Sequence, residues 1–541
     1  MDISSIIDGI QPASFKLSEQ DALFSLFNHP LVHFYQNTRK TKDFMPTGIL
    51  RQSLVTTLRE FPILLGHVQE ADGRLDSVVV NKDSINVPEF TESQSSTRYS
   101  DLLSAQFNWR VWPDRVASTG AMVTPSNGGK VKLLSVHLTR LADNSGVILF
   151  CNIPHFIVDG FGYYEFLNKW ACVCKEQRSN HTDSEADNQY NDNTNANDDD
   201  NGNYGALKVT GSKQTRYVFD RETVYESLQF KHQQCLPMPA AKEIIERDSI
   251  VSRLLASLSF GNRLRIASIG MHLNHGLANW FWISTESIDL LLKLVTDDDA
   301  CHLSRDEIST YALVAALVDT AFVRAQKLMA SRSGPIVRAA SFAGRIASKL
   351  LCGGRANDEH VLINMVHTRR YLQPLDAGYY FGNPVIIHPV LTPLKRAADK
   401  DARGSFRAAD KDARGSFVRL ARAISKEMCG IDGPAVRGFV DMVCANPSAH
   451  ARLAVFASAA PSTLTVVDER SYGMDRVDFG DGGPAWVSGI SPHMPNMVAL
   501  FQQPAPMHAG VAIYASFEPG LARLIASDPF FTLQRNNALN K

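Results

Sequence analysis

A histidine at the end of an apolar run, followed four residues later by a carboxylate beside a glycine, is the arrangement in this chain best suited to chemistry: Ile153-Pro154-His155-Phe156-Ile157-Val158-Asp159-Gly160. A neutral imidazole takes up a proton near neutral pH, and a carboxylate at a nearby turn can fix the ring or the backbone around it, so the segment fits a general base. The same residues also fit a core histidine with Asp159 capping the helix that follows. Gly160 would permit a tight turn there. Competing chemistries find little support. The sequence holds no G-x-S-x-G elbow, no Walker A loop and no H-E-x-x-H. The glycines of Gly480-Asp481-Gly482-Gly483 do not open a helix after a strand, as a dinucleotide fingerprint requires. Eight cysteines occur without a C-x-x-C pair, and Cys172 and Cys174 would diverge on a helix, so a metal site is not expected. Cys151 alternates to a core position rather than to that of a thiol nucleophile.

The local pattern indicates what positions the histidine. Val131 to Leu141 alternates as a strand, Ala142-Asp143-Asn144-Ser145-Gly146 is turn-rich, and Val147 to Ile153 is a short buried strand, so a hairpin ends at His155. Tyr163, Phe166, Leu167 and Trp170 then fall at helical spacing, which puts the motif on a strand-to-helix connection. Farther on, Trp280 to Ser284 reads as a strand and Ser287 to Leu294 as a helix. A long helix over Ser304 to Arg324 opens on a capping-box pattern, Ser304-Arg305-Asp306-Glu307. Strand signals return at His360 to Val366, Pro384 to Val390, Leu464 to Val467, Met497 to Phe501 and Gly510 to Ala515. Both halves therefore mix α and β.

At 541 residues the chain exceeds one ordinary core, and 44% hydrophobic residues can fill two. We expect an N-terminal domain over 1–240 carrying His155, a crossover at 241–275 and a C-terminal domain over 276–541. The charges nearly cancel, Lys+Arg 55 against Asp+Glu 56, which offers no general attraction for nucleic acid or an anionic membrane. The start, Met1-Asp2-Ile3-Ser4, lacks a signal-peptide pattern, and no apolar run approaches a membrane span. A cytoplasmic monomer acting on small molecules is the expectation. Residues 178–205 form a low-complexity loop in which Asn191 to Asn203 holds ten Asn or Asp in thirteen positions. A second insertion, 396–417, is an eleven-residue segment, Arg396 to Phe406, copied in tandem as Arg407 to Phe417. We expect it to extend a surface connection or helix end away from the chemistry.

Other segments align with the histidine motif in order and separation. Val366-His367-Thr368-Arg369-Arg370 precedes Tyr380-Phe381-Gly382-Asn383-Pro384, and Val477-Asp478-Phe479-Gly480-Asp481 follows. Leu17-Ser18-Glu19-Gln20-Asp21 stands near the start, before the amphipathic Ile49, Leu50, Leu54, Leu58 and Phe61-Pro62. Together these resemble the H-x-x-x-D-G, V-x-x-R, Y-F-G-N, D-F-G-W-G and L-S-x-x-D segments of the BAHD acyl-CoA-dependent acyltransferases of plants and fungi. The resemblance implies a chloramphenicol-acetyltransferase-like α/β fold, two domains each with a mixed sheet and flanking helices, and an active-site tunnel between them. It implies that His155 is the general base, met by acyl-CoA from one face and by a small-molecule acceptor from the other. No tightly bound cofactor is implied, and a hydroxyl acceptor is favoured over an amine. It also implies that Asp159 turns from the imidazole to pair with Arg369, and that Asp478, Phe479 and Gly480 form a structural loop.

Two departures stand out. Asp481 replaces the tryptophan of D-F-G-W-G. The region of the family's T-S-W-like segment, whose hydroxyl and indole donors face the developing oxyanion, reads Val466-Val467-Asp468-Glu469-Arg470-Ser471-Tyr472, so Thr465 and Ser471 are the remaining hydroxyl candidates. A basic tract from Thr320 to Asn357 carries seven Lys or Arg and no Asp or Glu. Arg338 and Arg345 within it are candidates for the phosphates of CoA, the alternative being a solvated helix face. Two further readings stay open. Condensation domains share the fold and take carrier-bound acyl groups, but usually show a histidine where this chain has Pro154. A non-catalytic ligand-binding relative would fit the missing tryptophan.

Overall fold

The computed structural model describes residues 2–114, 116–117, 123, 130–185, 216–219, 239, 241–242, 257–259, 262–263, 277–297, 304–332, 359–372, 378–393, 406–446, 463–489, 496–504 and 509–535. The apolar run before the histidine forms the Gly146–Pro154 strand, all nine residues of which are buried. Such continuous burial needs partners on both edges and both faces. The strand lies third in a five-stranded sheet, ordered Trp486–Gly489, Asn28–Gln36, Gly146–Pro154, Ser135–Arg140, Glu89–Gln94. Ser135–Arg140 is the other arm of the hairpin, with Ser135 opposite Asn152. It starts four residues later than the alternation from Val131 suggests, and the backbone carbonyl of Val131 instead accepts a hydrogen bond from Asn86 Nδ2 at 2.8 Å.

The Gly160–Glu185 helix follows the motif. It buries Tyr163, Phe166, Leu167 and Trp170, the residues whose spacing marks it in the sequence. Trp170 Nε1 donates to Leu50 O and Ser53 Oγ, both at 3.1 Å, which ties it to the Thr47–Thr57 helix. A second, six-stranded mixed sheet runs Val385–Pro393, Glu359–His367, Thr463–Asp468, Met497–Phe501, Gly510–Phe517, Leu277–Ser284. Each of its strand signals is present in the sequence. One strand crosses over: Trp486–Gly489, from the C-terminal part of the chain, pairs antiparallel with Asn28–Gln36 and forms an edge of the N-terminal sheet.

Two elements differ from their sequence reading. The Ser304/Glu307 capping box is present, but it closes a single 3-10 turn, Arg305–Glu307. Ile308 is extended, and the long helix starts afresh at Thr310, where Ser309 Oγ accepts from Ala312 N at 3.1 Å. A β-branched residue in extended geometry ends the turn, and a serine begins the next helix. The second copy of the tandem insertion extends a helix end, as expected, but not one wholly on the surface. It lies within the Phe406–Cys429 helix, where Ala413 and Phe417 are buried and Phe417 meets Phe530 at 5.5 Å. The eleven-residue period spans about three helical turns, so the copy contributes a core-facing stripe. Residues 396–405 and the 178–205 loop beyond 185 lie outside the described residues. Among the described residues no helix is long and apolar enough to cross a membrane.

Candidate active site

His155 follows the last residue of a fully paired strand, and its backbone N–H donates to Phe27 O at 2.8 Å. The ring is only partly exposed. Its Nδ1 lies 3.1 Å from Asn383 Oδ1, and Asn383 Nδ2 donates to His155 O at 2.8 Å and to Asp21 Oδ1 at 2.9 Å. Asp21 is itself fixed, because its Oδ2 accepts from Ser18 N and Ser18 Oγ at 2.8 Å each. A carboxylate only accepts, so the amide N–H2 of Asn383 must face Asp21 and its oxygen must face the imidazole. Nδ1 of His155 then carries the hydrogen and Nε2 keeps its lone pair. Nε2 has no hydrogen-bond partner among the described residues. The ring lies between Phe24, with centroids 4.2 Å apart and planes at 10°, and His29, at 4.9 Å and 15°. Burial, and after it His29, lower the His155 pKa to about 3, against a smaller upward pull from Asp159, so the imidazole is neutral.

Asp159 faces the other way. Its Oδ1 accepts from Gly162 N at 3.0 Å, which caps the Gly160–Glu185 helix, and its Oδ2 meets the Arg369 guanidinium and His367 Nε2, the latter at 3.3 Å. Helix capping and pairing with Arg369 are thus both realised in one carboxylate. Burial would raise its pKa, but Arg369 and then His367 outweigh burial and hold the carboxyl below its usual range. Arg369 Nη2 donates to Tyr380 O at 2.9 Å, and the guanidinium stacks over Phe161 at 5.0 Å and Tyr379 at 5.7 Å.

Gly160 is required for a reason other than a tight turn. Its φ is not left-handed. A Cβ there would stand 2.4 Å from Tyr472 Cε2 and 2.7 Å from Cδ2, so close approach of that ring excludes a side chain. In the distant loop, Asp478 Oδ1 accepts from Gly480 N at 2.8 Å and Gly482 N at 3.0 Å, and Phe479 is buried 4.8 Å from the Trp170 ring. Gly480 has φ 103°, a conformation that favours glycine. Asp481, standing in for an indole, pairs with Arg178 and accepts from Met45 N at 2.8 Å, so the loop is held by charge instead.

Thr465 is buried in the six-stranded sheet and Ser471 is exposed; neither hydrogen-bonds His155. Arg338 and Arg345 lie outside the described residues. Of the basic tract, Arg324 is engaged by Asp528 at 2.8 Å. Burial pushes the Cys151 thiol up to about 12, which keeps it protonated and not nucleophilic. Among the described residues no group of three or more His, Cys, Asp or Glu could hold a metal ion. Sequence reasoning missed Phe24, His29 and Glu469 at the site, and the role of Asn383. Asn383 could have been found as the last residue of the Y-F-G-N segment, whereas a lone histidine before Pro30 carries no signal.

A neutral, oriented imidazole between two mixed sheets, with a carboxylate–arginine pair locking the turn beneath it, defines an α/β protein of the chloramphenicol-acetyltransferase type. The chain matches the Transferase family over residues 8–238. It is 26% identical over 183 residues to a BAHD acyltransferase of Arabidopsis thaliana, At3g29680, covering 32% of this chain and 38% of that relative's length. Two solved structures share the fold. F. graminearum TRI101, complexed with coenzyme A and T-2 mycotoxin, superposes with a TM-score of 0.61 at 13% identity, covering 96% of this chain and 98% of that one. Vinorine synthase superposes at 0.52 and 14% identity, covering 94% and 91%. The likeness is thus to the Transferase family over residues 8–238, and to the fold of these two structures over nearly the whole chain.

Proposed function

We propose that this protein transfers an acyl group from a CoA thioester to a hydroxyl of a small-molecule acceptor, with His155 as general base. The observation that carries this reading is the Asp21–Asn383–His155 chain, which leaves Nε2 as a free acceptor on a neutral ring. Nε2 takes the hydroxyl proton as the acceptor oxygen attacks the thioester carbon. The tetrahedral intermediate then breaks its C–S bond, and the imidazolium returns the proton to the departing sulfur. A thioester carbonyl is already electrophilic, so positioning and one base suffice. Acyl-CoA is a co-substrate here, and hydroxyl acceptors are favoured over amines because they dominate the family the sequence resembles. Asp159 and Arg369 support the site by locking the turn and take no proton.

The test is to incubate purified protein with a panel of acyl-CoAs, alcohols and amines while following free thiol. We expect thiol release dependent on an alcohol, abolished in His155→Ala. Acyl-CoA binding without turnover across the panel would select the ligand-binding reading, which the absence of a hydroxyl or indole donor on His155 among the described residues favours. A requirement for carrier-bound acyl groups would select a condensation-type enzyme.

A further inference from the structure

Stacked on His155 is a second imidazole with its own carboxylate. His29 Nε2 lies 3.7 Å from Glu469 Oε1, with side chains 12% and 7% exposed. A carboxylate on that side favours the hydrogen on Nε2 and leaves Nδ1 as an acceptor. His29 Nδ1 and Glu469 Oε2 are both buried without a hydrogen-bond partner. Buried acceptors that lack a donor are costly, and most in folded proteins are satisfied. Glu469 also lies in the stretch where the resembled family carries hydroxyl and indole donors. Two neighbouring side chains thus each keep a buried acceptor without a donor, and a ligand hydroxyl is a donor that would satisfy one.

Resting on the transferase reading above, we propose that His29 and Glu469 select acceptors carrying a second hydroxyl near the one that is acylated, as in a 1,2- or 1,3-diol. A mono-alcohol gives its one O–H to His155 Nε2 and leaves the neighbouring acceptors unmet. A diol gives the second O–H to His29 Nδ1 or Glu469 Oε2. The two imidazoles lie face to face with centroids 4.9 Å apart, so the second acceptor group stands beside the base.

The experiment compares matched acceptors with acetyl-CoA as donor, reading thiol release: cyclohexanol against cis- and trans-cyclohexane-1,2-diol, and phenol against catechol. In the wild-type protein kcat/KM for at least one diol should exceed that of its mono-alcohol by about 10- to 100-fold, because a site built around a hydroxyl rejects the analogue lacking it. His29→Phe, which keeps an aromatic face but no acceptor, and Glu469→Gln, which brings a donor of its own, should each reduce that ratio at least tenfold. Turnover without discrimination in the wild type, or discrimination that survives both variants, overturns this proposal alone. Silence from every acceptor overturns the transferase reading and this one with it. If either variant fails to fold, the wild-type ratio still decides.

Discussion

The two ends of the motif are four residues apart and electrostatically opposite. Asp159 is a buried charge fully answered by Arg369, His367 and a helix N-terminus. His155 is a neutral ring held between flat neighbours and oriented by an amide. The contrast shows that an H-x-x-x-D-G segment need not be a histidine–carboxylate dyad. One end can keep the scaffold closed while the other stays free to exchange a proton.

The strongest way to break the comparison is to strand a charge. Asp159→Ala should destabilise the fold by about 3–5 kcal/mol, since Arg369 would be left buried and unanswered. Removing both partners should cost less than the sum of the single changes; additive losses in urea unfolding would show that the pair is not coupled. At the neutral end, Asn383→Ala should leave the ring without its orienting acceptor and forfeit part of the roughly 100- to 10,000-fold that a positioned base contributes. A larger loss in kcat than in binding of acyl-CoA is expected, and unchanged kcat would remove Asn383 from the site. Between the two ends, Gly160→Ala should cost about 1–3 kcal/mol by overpacking against Tyr472. Tyr472→Leu in the same chain should restore part of the lost Tm if the ring is the cause.

The smallest effect sharpens the contrast through pH. His155 and His33 are lowered to about 3 and about 4 from an ordinary value of 6.5, both first by burial. Between those values and 6.5 the unfolded chain binds more protons than the folded one, so stability falls as pH drops through that window. Each histidine contributes at most about 1.4 kcal/mol per pH unit. Asp159, lowered instead by its partners, adds its own loss only below its unfolded value of 3.8. Urea midpoints from pH 7 to pH 5 should therefore decline, and His155→Gln should flatten the decline.

What could be read from sequence was what is contiguous. The hairpin, the helix after it and the strands of the second sheet each announce themselves by periodicity within a dozen residues. The Asp159–Arg369 pairing was legible only through resemblance, because no local pattern links positions 210 residues apart. Phe24 and His29 stack on His155, and Glu469 meets His29, through strand pairing and loop placement, which leave no trace in spacing. Gly160 was recognised for the wrong reason, since the ring that excludes a side chain comes from Tyr472. The second repeat copy reads as surface because its polar composition hides two core-facing positions, Ala413 and Phe417.

The crossing strand Trp486–Gly489 has a consequence for biogenesis. Until that segment leaves the ribosome, Asn28–Gln36 has an unpaired edge next to a largely hydrophobic sheet. At about 5–20 residues per second the wait lasts tens of seconds. The first half of this protein is therefore made long before it can be sealed, and a nascent chain stalled or truncated before position 486 presents an open template for aggregation that chaperones must cover.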